Sequence, residues 1–130
     1  TNDDKKELYV YNVDEEGLVV RNKPNGFKTG ELLQVGTKVL ELERSNSWTK
    51  ISQNKWVYNK FLTPNKPEFY IVTTPNNKTL NVRNKPSLNS QIIKTIKNNT
   101  HVSIYKKINS WVCISPTKNH WISQNFIKKA

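Results

Sequence analysis

Few residues in this 130-residue chain have the chemistry to bind or react. Four tryptophans (Trp48, Trp56, Trp111, Trp121), three arginines (Arg21, Arg44, Arg83), one cysteine (Cys113) and two histidines (His101, His120) stand among 18 lysines and 18 asparagines. A flat indole stacks on sugar or peptide with little loss of rotamer freedom. An arginine forks onto a carboxylate, or closes a turn onto a backbone carbonyl. A cysteine hydrolase needs a thiol of lowered pKa and an oriented histidine. One cysteine excludes an intrachain disulfide, and it excludes a metal site built from cysteines alone or from paired cysteines and histidines. The single dense acidic cluster, Asp14-Glu15-Glu16, lacks the ligand spacing of a calcium loop and reads as a solvated loop. Only four glycines occur, none clustered, so there is no glycine-rich phosphate loop. No catalytic residue, cofactor or metal is expected.

The spacing of these residues shows what must position them. Leu18-Val19-Val20-Arg21-Asn22-Lys23-Pro24 recurs 62 positions on as Leu80-Asn81-Val82-Arg83-Asn84-Lys85-Pro86. Gly36-Thr37-Lys38-Val39 recurs as Asn99-Thr100-His101-Val102, and Asn46-Ser47-Trp48-Thr49-Lys50-Ile51-Ser52 as Asn109-Ser110-Trp111-Val112-Cys113-Ile114-Ser115. Asn54-Lys55-Trp56-Val57 with Phe61-Leu62 recurs as Asn119-His120-Trp121-Ile122 with Phe126-Ile127. Four motifs repeated in order mean two copies of one unit. Cys113 matches Lys50, His101 matches Lys38 and His120 matches Lys55, so no Cys–His dyad repeats. The expected boundaries are 1–62 for the first unit, with residues 1–8 as an N-terminal lead, 63–68 for a proline-containing linker and 69–130 for the second unit. Two prolines in Thr63-Pro64-Asn65-Lys66-Pro67 stiffen that linker, and the two small units are expected to touch.

Each unit reads as short strands. Tyr9 to Val13, Lys38 to Glu43, Trp48 to Ile51 and Trp56 to Tyr58 have counterparts at Phe69 to Thr73, His101 to Lys106, Trp111 to Ile114 and Trp121 to Ser123. No segment holds a helical period, and about five short strands in such a unit suggest a small barrel. Period-2 alternation turns Thr49 and Ile51, and Val112 and Ile114, to the core. Trp48 and Trp111 then lie on an outer, half-exposed face as the first binding candidates, whereas Trp56 and Trp121 are expected to be structural. Arg21 and Arg83 repeat, which favours a turn-closing role beside the ligand-binding one.

Charge separates the copies. The chain carries +11, of which residues 63–130 hold 11 basic and one acidic residue, Glu68. Such imbalance points to an anionic partner, with Lys94, Lys97, Lys106 and Lys107 as its candidate patch. Lysines interleaved with Tyr105, Trp111 and Trp121 are also the ingredients of a nucleic-acid surface, but arginine, the usual reader of bases and phosphates, is scarce. No apolar run approaches the roughly 18 residues of a membrane-spanning helix. The start at Thr1 rather than Met suggests a trimmed or mature fragment.

The ordered series Leu-x-Val-Arg-Asn-Lys-Pro, Gly/Asn-Thr-x-Val, Asn-Ser-Trp-x-x-Ile and Trp-Val/Ile-x-x-x-Phe-Leu/Ile resembles the bacterial Src-homology-3-like (SH3-like) domain, twice, over about 9–62 and 69–127. The resemblance implies an all-β chain of two tandem five-stranded, partly open barrels packed together. It implies an extracytoplasmic bacterial protein that binds peptidoglycan peptide or an anionic wall polymer, or that docks an envelope protein or a catalytic partner. It places Trp48 or Trp111 by the peptide groove, with Tyr58, Phe61, Phe126, Arg21 and Arg83 as further groove candidates. Two departures stand out. Lys55 and His120 precede the second Trp where the family has Gly, and Asn99 replaces a turn Gly.

Overall fold

The computed structural model describes residues 5–130. Residues 1–4, half of the expected N-terminal lead, lie outside the described residues. The chain is all-β, and its contacts divide into two compact units, Thr1–Pro67 and Glu68–Ala130.

The first unit runs β1 (Lys6–Val10), β2 (Leu18–Arg21), β3 (Lys28–Leu33), β4 (Lys38–Glu41), β5 (Glu43–Ser45), β6 (Trp48–Ser52), β7 (Lys55–Tyr58) and β8 (Leu62–Thr63). The second runs β9 (Tyr70–Val72), β10 (Leu80–Arg83), β11 (Ile92–Ile96), β12 (His101–Val102), β13 (Lys106–Ile108), β14 (Trp111–Cys113), β15 (Trp121–Ser123) and β16 (Ile127–Lys129). Each unit forms a five-stranded sheet, in order β3-β2-β7-β6-β5 or β11-β10-β15-β14-β13, and a three-stranded sheet, β4-β1-β8 or β12-β9-β16. The topology of one unit is therefore that of the other, strand for strand. All the strand pairs are antiparallel. A single-turn 3-10 helix, Asn59–Phe61 or Gln124–Phe126, carries the chain from one sheet back to the other.

The strand limits differ from those expected. β1 begins at Lys6 and ends at Val10, so the chain from Lys6 to Leu8 is a paired strand rather than a lead. Tyr11 to Val13 follow the strand, because Asn12 turns left-handed at φ 59°. β3, with sequence KTGELL, carries no alternation: its first five residues are exposed. It is held as a strand by its ladder to β2 rather than by burial.

The cores follow the alternation. Val112, Ile114 and Ile122 are fully buried in a cluster with Val72, Leu80, Val82, Ile96 and Val102. In the first unit Val10, Val20, Val35, Val57 and Thr49 are completely buried. Ile51, expected inward, is only half-buried, since the β6–β7 register shifts between Lys50 and Ser52. The left-handed residue of that turn is Asn54, at φ 57°, so Lys55 can stand where a glycine was anticipated and still enter β7. Asn99 takes the other missing glycine's place at φ 71°, matching Gly36 at φ 86°; asparagine adopts this region more readily than other residues with a Cβ.

A candidate groove beside Trp111

β14 and β15 are adjacent, with Trp111 paired to Ser123 and Cys113 to Trp121. Cross-strand partners share a face, so the four side chains line one side of the sheet. Trp121 and Cys113 are buried there, whereas Trp111 is half-buried. Trp111 forms one wall of a groove of about 240 Å3. Phe126, delivered by the 3-10 turn, and the apolar Leu80, Leu88 and Pro75 complete its apolar lining, and Lys78 and Arg83 line it too. Leu88 is 74% exposed, so an apolar lip stands in water next to the indole. The structure thus brings Trp111, Phe126 and Arg83 of the expected set to one place.

Arg83 also has a structural task. Its Nη1 donates to the Ser90 carbonyl at 2.7 Å, as Arg21 Nη1 donates to the Gly26 carbonyl at 2.8 Å. Both arginines pair across the sheet with the second tryptophan of their unit, Arg21 with Trp56 and Arg83 with Trp121. Each closes the loop that follows its own strand.

The matching place in the first unit is occupied by its own side chains. Trp48 pairs with Tyr58, and the rings stack at 4.1 Å between centroids and 28° between planes. Trp48 is left only 6% exposed. It was expected to be half-exposed on an outer face, and the stacked phenol is the reason it is not. Lys60 Nζ lies 5.7 Å from the Tyr58 ring centre and 5.1 Å from that of Phe61, so Tyr58 and Phe61 share one ammonium group while Tyr58 stacks on Trp48. Trp56 and Trp121 are 9% and 4% exposed, in keeping with structural roles, although the face they occupy is far more covered than alternation alone suggested.

The lysine set does not form one strand's row. Lys94 lies on β11 and Lys106 and Lys107 on β13, the two opposite edges of the five-stranded sheet. Lys97 stands in the turn after β11, where its carbonyl accepts from Thr100 Oγ1 at 2.6 Å.

Cys113 is 3% exposed, and its thiol donates toward the carbonyls of Lys118 and Ser115 at 3.3 and 3.5 Å. This is the setting of a packed thiol rather than of an accessible nucleophile. In the acidic cluster the Asp14 carboxylate accepts from the Glu16 N–H at 2.9 Å, an Asx turn. Glu15 is buried rather than solvated.

A polar pair that sequence reading missed lies below β6. Thr49 Oγ1, fully buried, donates to Glu41 Oε2 at 2.8 Å, and Arg44 Nη2 meets the same oxygen at 2.9 Å. Burial pushes the Glu41 carboxyl up, but the hydrogen bonds from Arg44 and Thr49 and the Arg44 charge together hold it below the ordinary glutamate value. The counterparts of Glu41 and Thr49 are Ile104 and Val112. Comparing the copies, rather than reading either one, could have revealed the exchange.

Among solved structures, "Endolysin LysPBC5 CBD" is 15% identical with a TM-score of 0.41, covering 95% of this chain and 93% of that one. NlpC2 from Trichomonas vaginalis is 13% identical with a TM-score of 0.38, covering 95% of this chain and 48% of that one. No curated protein matches the chain. The family described as bacterial SH3 domain matches residues 78–128, the stretch that holds β10 to β15 and every groove residue from Lys78 to Phe126.

Proposed function

We propose that the protein is a non-catalytic binding module of the bacterial cell wall, made of two tandem SH3-like domains, with its ligand seated in the groove of the second. The observation that carries this reading is the open wall of Trp111 and Phe126, flanked by Leu88, in the segment that the bacterial SH3 family matches. An apolar slot with a few polar groups at its edge suits an extended peptide better than a polyanion. Lys78 and Arg83 line the slot, and Glu68, the one acid of residues 63–130, is already paired with Lys129 at 3.1 Å. A peptidoglycan peptide bearing a carboxylate next to a small or apolar side chain meets both features. Family resemblance supports an extracytoplasmic location, and among the described residues no helix is long and apolar enough to cross a membrane. Tandem copies are supported by the four ordered motifs and by the shared strand order.

A second reading, attraction to an anionic wall polymer, is favoured by the +10 of residues 63–130 and by exposed Lys106 and Lys107. Co-sedimentation with purified sacculi, intact and stripped of anionic polymer, tests both. Retention on stripped sacculi that is lost in Trp111→Ala supports the peptide reading. Retention that vanishes on stripping, with Trp111→Ala unaffected, supports the polymer. No retention on either overturns the wall-binding reading.

A further inference from the structure

We propose that the residue facing the groove tryptophan across the β-ladder decides which unit binds: Ser123 leaves the second unit open, and Tyr58 closes the first. The proposal rests on the wall-peptide reading for its ligand, but not for the open and closed states. Position 58 and position 123 are equivalent in sequence and in register, since Trp48 pairs with Tyr58 and Trp111 with Ser123. Ser123 lines the groove beside Trp111. Its hydroxyl reaches no further than the Asn125 N–H, from which it accepts at 3.3 Å, so it leaves the indole uncovered. Tyr58 reaches across the same gap and stacks on Trp48 at 4.1 Å.

The remaining framework is common to both units. Leu18, Arg21, Trp48 and Phe61 stand where Leu80, Arg83, Trp111 and Phe126 line the open groove. One phenol side chain therefore acts as a built-in occupant of the first groove, held by stacking and by the ammonium of Lys60 at 5.7 Å. The first unit is thus closed to that peptide by a ring, while the second exposes an indole that its neighbour shows how to cover.

Acrylamide quenching of tryptophan emission in the full chain reads the open and closed states without any ligand. Trp111→Phe should remove most of the quenchable emission, and Trp48→Phe little of it. In the Trp111→Phe background, Tyr58→Ser should raise the quenching constant, and Tyr58→Phe, which keeps the stack, should leave it unchanged. If Tyr58→Ser does not alter quenching, or if Trp48 emission is as quenchable as that of Trp111 in the unaltered chain, the proposal is overturned. Co-sedimentation with polymer-stripped sacculi then reads the consequence. Trp111→Phe should lower the apparent affinity by several-fold up to about tenfold, because the smaller ring gives up part of the indole's contact area, whereas Trp48→Phe should not change it. Ser123→Tyr should lower retention like Trp111→Phe, while also lowering the quenchable fraction; circular dichroism confirms its fold, and the Tyr58 variants carry the test if it is unfolded. Equal losses from Trp48→Phe and Trp111→Phe overturn the assignment of binding to the second unit. A chain that shows the quenching pattern but never sediments with sacculi overturns the wall reading alone.

Discussion

Arg21 and Arg83 each stand half-buried at the end of a strand and reach a carbonyl in the following loop, of Gly26 and Ser90 respectively. A methylene chain of similar length would keep the packing and lose the bond. Arg21→Met should therefore cost about 1–2 kcal/mol, the lower range for a charged hydrogen bond with partial solvent access, read as a shift of the urea midpoint. Because the first groove is closed, retention on sacculi should not change. Arg83→Met should cost a similar amount of stability and also weaken retention, because that side chain lines the open groove. Equal retention in unaltered protein and Arg83→Met would confine Arg83 to its loop. The repetition of the two arginines announced a fold role. It did not announce the carbonyls they reach, which depend on loops of different length. Nor could alternation show that Tyr58 covers Trp48, since that follows from the register between two strands and not from either strand's pattern.

At the level of strands, the two copies solve one packing problem with different chemistry. Beneath β4 and β6 the first unit places Glu41 against Thr49, whereas the second places Ile104 and Val112 at the matching positions. Removing one partner of such a polar pair is worse than removing both, because the survivor keeps its desolvation cost. Thr49→Val should thus destabilise the protein by about 1–2 kcal/mol, while Glu41→Ile with Thr49→Val together should recover most of that loss. A double variant less stable than the single would refute the comparison between copies. The pH dependence has a definite sign. The folded Glu41 carboxyl titrates below its unfolded value of about 4.5, so its contribution is fully present above that pH and is lost as pH falls through the depressed value. Urea midpoints measured from pH 6 to pH 3 should fall less steeply in the double variant. Val20 stands in the unbroken run Leu18-Val19-Val20, which alternation does not read, whereas the buried positions Val112, Ile114 and Ile122 were legible, since they sit in alternating runs. β3, β8, β11 and β16 were not, because their residues are largely exposed or the strand is only two or three residues long. Such strands are fixed by partners brought from elsewhere in the chain.

Over the whole molecule, charge and groove make separable contributions to binding. Residues 63–130 carry eleven of the 21 basic residues but one of the ten acidic ones, so a long-range field attracts any polyanion to this half. The fold distributes that charge: Lys94 and the pair Lys106 and Lys107 occupy opposite edge strands. Reversing the charge on one edge, with Lys106→Glu and Lys107→Glu, leaves Trp111 and its lining untouched. If a peptide in the groove is the ligand, this double reversal should slow association on stripped sacculi and leave dissociation nearly unchanged, as for charges outside the contact. The slowing should fade as salt is raised, since exposed charges are screened within about 10 Å already at 0.1 M. A ligand gripped by the lysines themselves behaves otherwise. Its affinity falls steeply and linearly with the logarithm of salt concentration, and each lost lysine reduces that slope. Nucleic acid would share this slope, so a competitor is needed to tell polyanions apart. Single-stranded DNA should displace the protein from stripped sacculi only weakly at physiological salt, because lysine offers charge without the forked contacts of arginine. Tight DNA binding at that salt, insensitive to Trp111→Ala and absent from sacculi, would move the function from the wall to nucleic acid and leave the groove beside Trp111 without a ligand.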